Sequence, residues 1–166
     1  MLRRDDIDRV YRSHGHVVWR RARAILASED DARDLVQEVF RRLLENPSMF
    51  RGDSALSTFV YAMTTRLCLQ RLRNRATRMR LDELHAPPPG ALGGDAARAT
   101  ALRDILTHIP HELAEAAVYY YVDEMTHQEI AVVLGCSRRR VGDLLVRFHD
   151  EVGRLFTEPV ALEEVS

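Results

Sequence analysis

The stretch Thr126-His127-Gln128-Glu129-Ile130-Ala131-Val132-Val133-Leu134-Gly135-Cys136-Ser137-Arg138-Arg139-Arg140-Val141-Gly142-Asp143-Leu144-Leu145-Val146-Arg147 decides the fold. Thr126 and Glu129 have the spacing of a capping box, in which each side chain accepts from the other residue's backbone amide. A short helix follows, with Ile130, Val133 and Leu134 inward and small Ala131 leaving room for a crossing helix. Gly135 stands where the chain must turn left-handed, a conformation that is cheap without Cβ. Cys136 faces inward as a small apolar residue, and Ser137 caps the next helix. That helix has an apolar stripe of Val141, Leu144, Leu145, Phe148 and Val152. Its other face carries Arg138, Arg139, Arg140, Asp143 and Arg147.

A helix, a glycine turn and an Arg-rich helix start read as a helix-turn-helix. The second helix of that motif enters the DNA major groove with its N-terminal residues toward the base edges. Three cations at a helix N-terminus oppose the helix dipole, so their placement favours a polyanion partner over stability. The planar fork of arginine pairs with guanine or phosphate in a bidentate manner.

The remaining chain also reads as helix, which predicts an all-α protein. Apolar residues recur at helical spacing from Asp6 to Leu26, from Ser28 to Pro47 and from Leu56 to Arg80. The run Val118 to Val122 suits a strand in isolation. A helix from His111 suits its surroundings better, with Leu113, Ala117, Tyr120 and Tyr121 on one side. Between Asp82 and Asp95 lie three Pro and three Gly, which interrupt helix and read as a tether. We therefore expect domains over 1–81 and 97–157, a linker over 82–96 and a short tail over 158–166.

The 166 residues carry 24 Arg and no Lys against 25 acids, a formal net charge of −1. As a bulk number this counts against nucleic acid, but the charges are sorted along the chain. Residues 49–80 are net +6, with no acid from Arg66 to Arg80, whereas residues 28–48 are net −3 and 111–137 net −5. Arg66, Gln70, Arg71, Arg73, Arg75, Arg78 and Arg80 form a basic stripe suited to a nucleic-acid backbone. The nearby Phe50, Phe59 and Tyr61 suit either core packing or stacking on unpaired bases. Asp30, Asp34, Gln37, Glu38 and Arg41 form a polar face on the second helix.

No nucleophile–base–acid constellation occurs, so no catalytic residue is expected. The pairs His14/His16 and His108/His111 lack the spacing of a zinc motif, so no metal and no cofactor are expected. Two separated cysteines, Cys68 and Cys136, indicate no disulfide framework. The longest uncharged apolar-leaning stretch, 12 residues from Ser54 to Thr65, is too short to span a bilayer. A cytoplasmic address without membrane insertion is expected.

Several segments together resemble the extracytoplasmic-function sigma factors of bacterial RNA polymerase. Asp31 to Phe40 is similar to their region 2.2, and Phe50 to Tyr61 to the loop and helix of regions 2.3 and 2.4. Ile109-Pro110, Thr126 to Ile130 and the helix-turn-helix are similar to region 4. The resemblance implies a subunit that directs promoter-specific initiation. It would bind core polymerase at the β′ clamp helices and the β flap, and would have an anti-sigma factor as partner. Asp34, Gln37, Glu38, Phe40 and Arg41 would dock on the polymerase. The −10 element would be melted and read by Phe50, Arg51, Asp53, Ser54, Tyr61, Thr65, Arg66, Gln70 and Arg73. The −35 duplex would be read by Ser137, Arg138, Arg139, Arg140, Asp143 and Arg147. The chain departs from the family's usual wording, with Phe59 for Trp, Arg66 for Asn and Gln70 for a frequent Asp. The alternative is a stand-alone helix-turn-helix regulator, which would have no need of a melting groove. The tether and the oppositely charged faces further predict that the two domains can fold over each other in the free state, held by an anti-sigma partner.

Overall fold

The computed structural model of the chain describes residues 3–82 and 95–157. Of the expected linker over 82–96, residues 83–94 lie outside the described residues, as does the expected tail over 158–166. Seven α-helices are found among the described residues, and no strand. They are α1 (Arg4–Leu26), α2 (Glu29–Glu45), α3 (Leu56–Asp82), α4 (Asp95–His108), α5 (His111–Ala117), α6 (His127–Leu134) and α7 (Arg138–Thr157). A 3₁₀ turn, Pro47–Met49, leads into the loop before α3, and a π-helical turn, Val118–Val122, continues α5.

The helix ends follow local chemistry. Ala27, in a left-handed conformation with φ 54°, ends α1. The Ser28 hydroxyl then accepts from the Asp31 amide and starts α2. The Thr126 hydroxyl accepts from the Glu129 amide at 3.3 Å. In return the Thr126 amide donates to the Glu129 carboxylate at 2.7 Å. That bond and one donated by the Thr126 hydroxyl, also at 2.7 Å, hold the Glu129 carboxyl below its ordinary range. Gly135 turns with φ 65°, and Ser137 accepts from the Arg140 amide at 3.1 Å to open α7.

Two apolar clusters share α3. One packs Val18, Ala22 and Ile25 of α1 and Leu35, Val39 and Leu43 of α2 against Val60, Met63, Leu67 and Leu72. The other gathers Leu106, Ile109, Leu113, Tyr119, Ile130, Val141, Leu144 and Leu145 around Leu69, with Tyr61 packed at its edge. Residues 61, 65 and 69 recur at helical spacing on the side of α3 away from Met63 and Leu67, so this helix is buried on two sides. One side holds the three-helix bundle α1–α3, and the other receives α4–α7.

The segment after α5 departs from expectation. Tyr119 is fully buried, while Tyr120 and Tyr121 are exposed. The Asp123 amide bonds to the Val118 carbonyl at 3.1 Å, five residues back. The wider turn changes which residues face inward. Regular α-helical spacing therefore misassigned the tyrosines.

Both cysteines are free, Cys68 buried and Cys136 half-buried against the second cluster. Burial pushes the Cys68 thiol up to about 12. Leu35 is fully buried, whereas Leu44 on the same helix is 45% exposed. Leu35→Ala should lower the unfolding free energy by about 2–5 kcal/mol. Leu44→Ala should change it by less than about 0.5 kcal/mol. Urea melts of both variants check the contrast.

Candidate nucleic-acid and polymerase interfaces

α7 presents its arginines as the helix-turn-helix geometry requires. Val141, Leu144, Leu145 and Phe148 are buried against α5 and α6, which fixes the opposite face outward. Arg138 and Arg139 are exposed, with no ion-pair partner among the described residues. Ser137 and Asp143 are exposed as well. Arg140 and Arg147 are held by one carboxylate, that of Glu112 on α5, at 2.9 and 3.2 Å.

On α2, Asp34, Gln37 and Arg41 are exposed, and Phe40 is buried with its ring edge-on to Tyr11. Arg41 is paired along the helix with Glu45 at 2.7 Å. Glu38 is less free than its sequence position implied. Its carboxylate accepts from Arg42 and, at 2.7 Å, from Arg71 of α3. Burial opposes its ionisation, yet these two arginines outweigh burial and hold the carboxyl below the usual range. A polar cleft of about 610 Å³ lies beside this pair, between α2 and α3, with Asp34, Gln70 and Arg75 among its lining.

The loop before α3 is open to solvent. Arg51 and Asp53 are exposed, Ser54 is half-buried, and Phe50 packs edge-on against Phe59 with centroids 5.5 Å apart. Loop and α1 together line a cleft of about 540 Å³ that includes Arg9, Val10, Phe50 and Arg51.

Of the rest of the expected −10 set, Tyr61, Thr65, Arg66 and Arg73 are gathered at a seam between α3 and the helices α4–α7. Arg66 donates to the buried Glu115 of α5 at 3.0 Å. Arg73 donates to the Ile109 carbonyl, its Nε lies buried with no hydrogen-bond partner among the described residues, and burial lowers its pKa. Gln70 remains exposed. The expected basic stripe on α3 is thus largely paired within the chain. Arg71 and Arg75 face α2, at Glu38 and Asp31.

The centre of the seam is Arg21 of α1, with only 7% of its side chain exposed. Its Nη1 and Nη2 donate to the two carboxylate oxygens of Asp123 at 2.7 and 2.8 Å. Nε donates to the Thr65 hydroxyl at 2.7 Å, and Nη1 also donates to the Tyr61 hydroxyl. The guanidinium lies 4.0 Å from the Tyr61 ring centroid, and Tyr61 stacks on Tyr119. Burial pushes the Tyr61 phenol well above its ordinary value, and Arg21 only partly opposes this, so the group stays neutral. Neither Arg21 nor Asp123 nor Glu115 was singled out from the sequence. The available signal was Arg21 itself, a charge at helical spacing inside the stripe Val18, Ala22, Ile25.

Because Glu38 is held below its ordinary value of 4.5 in the fold, it favours the folded state above that pH. That contribution should disappear as pH falls from 4.5 through the depressed value. Urea midpoints measured across this acid range should fall, and Glu38→Gln should flatten part of the fall.

Residues 10–78, which span most of α1–α3, match the family model of Sigma-70 region 2. The chain is 27% identical over 156 residues to the ECF RNA polymerase sigma factor SigE of Mycolicibacterium smegmatis. That alignment covers 86% of this chain but only 57% of the relative. It is 24% identical over 148 residues to the ECF RNA polymerase sigma factor SigM of Mycobacterium tuberculosis, covering 89% of this chain and 76% of that protein. In fold it is similar to the sigma factor RpoE of Bartonella quintana, solved in complex with the anti-sigma factor NepR. The TM-score is 0.52 at 16% identity, covering 91% of this chain and 96% of that one. With the region 2 match resting on the α1–α3 bundle and a helix-turn-helix following it, the chain is similar to the extracytoplasmic-function RNA polymerase sigma factors.

Proposed function

We propose that the chain is a promoter-specificity subunit of RNA polymerase. Residues 1–81 act as the region 2 domain, residues 97–157 as the region 4 domain, and residues 82–96 as the tether. The observation that carries the reading is one chain holding a region 2 match and a helix-turn-helix whose leading arginines, Arg138 and Arg139, are exposed and have no ion-pair partner among the described residues. Arginines so placed fit the major groove of a −35 duplex. The open loop Phe50–Ser54 and the cleft beside it suit an unstacked base of the −10 element. Exposed Asp34, Gln37 and Arg41 supply a polar docking face for the β′ clamp helices, and the β flap is a second polymerase contact.

The protein redirects an enzyme and is not one itself. It works in the cytoplasm without membrane insertion, and an anti-sigma factor controls it. No helix among the described residues is long and apolar enough to cross a membrane. A stand-alone regulator would need only the helix-turn-helix, and the region 2 match over α1–α3 weighs against it.

Run-off transcription with core polymerase tests the reading. Promoter-dependent RNA should appear only when the chain is added, and its absence would refute the proposal. Arg139→Ala should weaken binding of the holoenzyme to the −35 element by about 1–3 kcal/mol and relax base preference there. Band-shift titration against single-base promoter variants measures both effects.

A further inference from the structure

Arg21 has the chemistry of a phosphate site and is occupied by a carboxylate. Thr65 fixes one edge of its guanidinium through Nε, and the Tyr61 ring lies against its face. The two terminal nitrogens are thereby aimed away from α1, in the fork geometry that suits either a carboxylate or a phosphate. Asp123 fills that fork through both oxygens. Beside it Glu115, itself buried, holds Arg66. The covering segment 111–137 is net −5 with no arginine, and the covered segment 49–80 is net +6. At the seam itself Asp123 and Glu115 are seated on Arg21 and Arg66, two carboxylates that share the charge character of a nucleic-acid backbone.

We propose that Arg21, framed by Tyr61 and Thr65, is a backbone-phosphate site for an unpaired DNA strand, and that Asp123 and Glu115 occupy this site in the closed chain as a built-in competitor. The proposal rests on the sigma-factor reading, which already places Tyr61, Thr65 and Arg66 on the −10 strand. It adds a DNA contact from α1 and an inhibitory contact that needs no second protein. Strand and Asp123 cannot hold the same two guanidinium nitrogens at once. Strand capture therefore requires α4–α7 to leave the seam.

The test uses the full chain and a fluorescein-labelled single-stranded 12-mer of mixed sequence, followed by anisotropy at fixed salt. Native-state hydrogen exchange of α3 amides 61–73 reports opening. Asp123→Asn and Arg21→Gln break the same ion pair, and both should speed exchange across α3. Their effects on DNA should differ in sign. Asp123→Asn should bind the strand at least about tenfold tighter than the parent chain, since the competent open form becomes populated. Its salt dependence should also steepen, because more phosphates are contacted. Arg21→Gln should bind at least about tenfold more weakly than Asp123→Asn, and the double variant should match Arg21→Gln.

Equal tightening by both single variants would overturn the Arg21 site, because any other uncovered cation would then explain it. Unchanged exchange in Asp123→Asn would overturn the competitor. Should Asp123→Asn fail to fold, Glu115→Gln loosens the adjacent pair with Arg21 intact and must likewise tighten strand binding. Run-off transcription by the parent chain separates the two claims. No promoter-dependent RNA would sink the sigma reading, whereas normal RNA with unaltered strand affinity in these variants would sink this one alone.

Discussion

Arg21 interrupts an apolar stripe, and the arrangement of both halves of the molecule depends on how its charge is satisfied. A guanidinium at 7% exposure must find a partner for its charge and for most of its donors. α3 supplies two neutral acceptors, the Thr65 and Tyr61 hydroxyls, and the balancing charge comes from Asp123, 102 residues away in sequence. A buried pair of this kind adds little net stability over an apolar replacement, because desolvation offsets attraction. Its effect is on register. The placement of α4–α7 on α3 that brings the Asp123 carboxylate to the fork also buries Leu69 and stacks Tyr61 on Tyr119. Apolar contact holds the seam, and the ion pair specifies where it forms.

The turn after α5 belongs to the same constraint. Five residues, Val118–Val122, adopt a π-helical turn, and the Asp123 amide closes it on the Val118 carbonyl. In an uninterrupted α-helix each residue advances by about 100°, so removing the extra residue of the wider turn would swing Asp123 away from Arg21. The same shift carries Tyr119 into the core and leaves Tyr120 and Tyr121 outside. Here a local irregularity of the backbone decides a contact between distant parts of the chain.

Much of the second half was legible because its signals are local. The capping box at Thr126, the glycine turn at Gly135, the Ser137 cap and the stripe from Val141 to Phe148 each follow from residues a few positions apart. α3 was harder. A helix buried on two sides has no single apolar stripe, so Tyr61, Thr65 and Leu69 were hidden between arginines. Those arginines were read as a free basic surface, yet Arg66, Arg71 and Arg75 have acidic partners on α5 and α2, and Arg73 bonds a carbonyl. Charge sorting along a sequence shows that blocks of opposite sign exist. Whether they face solvent or each other is settled by packing between segments far apart in the chain.

The distribution of contacts bears on how the seam could open. α2 packs against α1 and α3 and takes little part in the seam, so its exposed Asp34, Gln37 and Arg41 stay accessible while α4–α7 are docked. Replacing the Asp123 carboxylate by a phosphate on the Arg21 fork exchanges one bidentate ionic contact for another, with little net gain. What opposes opening is the apolar burial around Leu69, at about 1.5–3 kcal/mol for each fully buried large side chain. A DNA strand alone offers nothing to replace that term. A large protein surface that engages α2 and gives α4–α7 a second resting place does. Under the proposed function, the polar face of α2 and the closed seam are parts of one device, in which docking comes first and exposure of the proposed strand-binding cations follows from it.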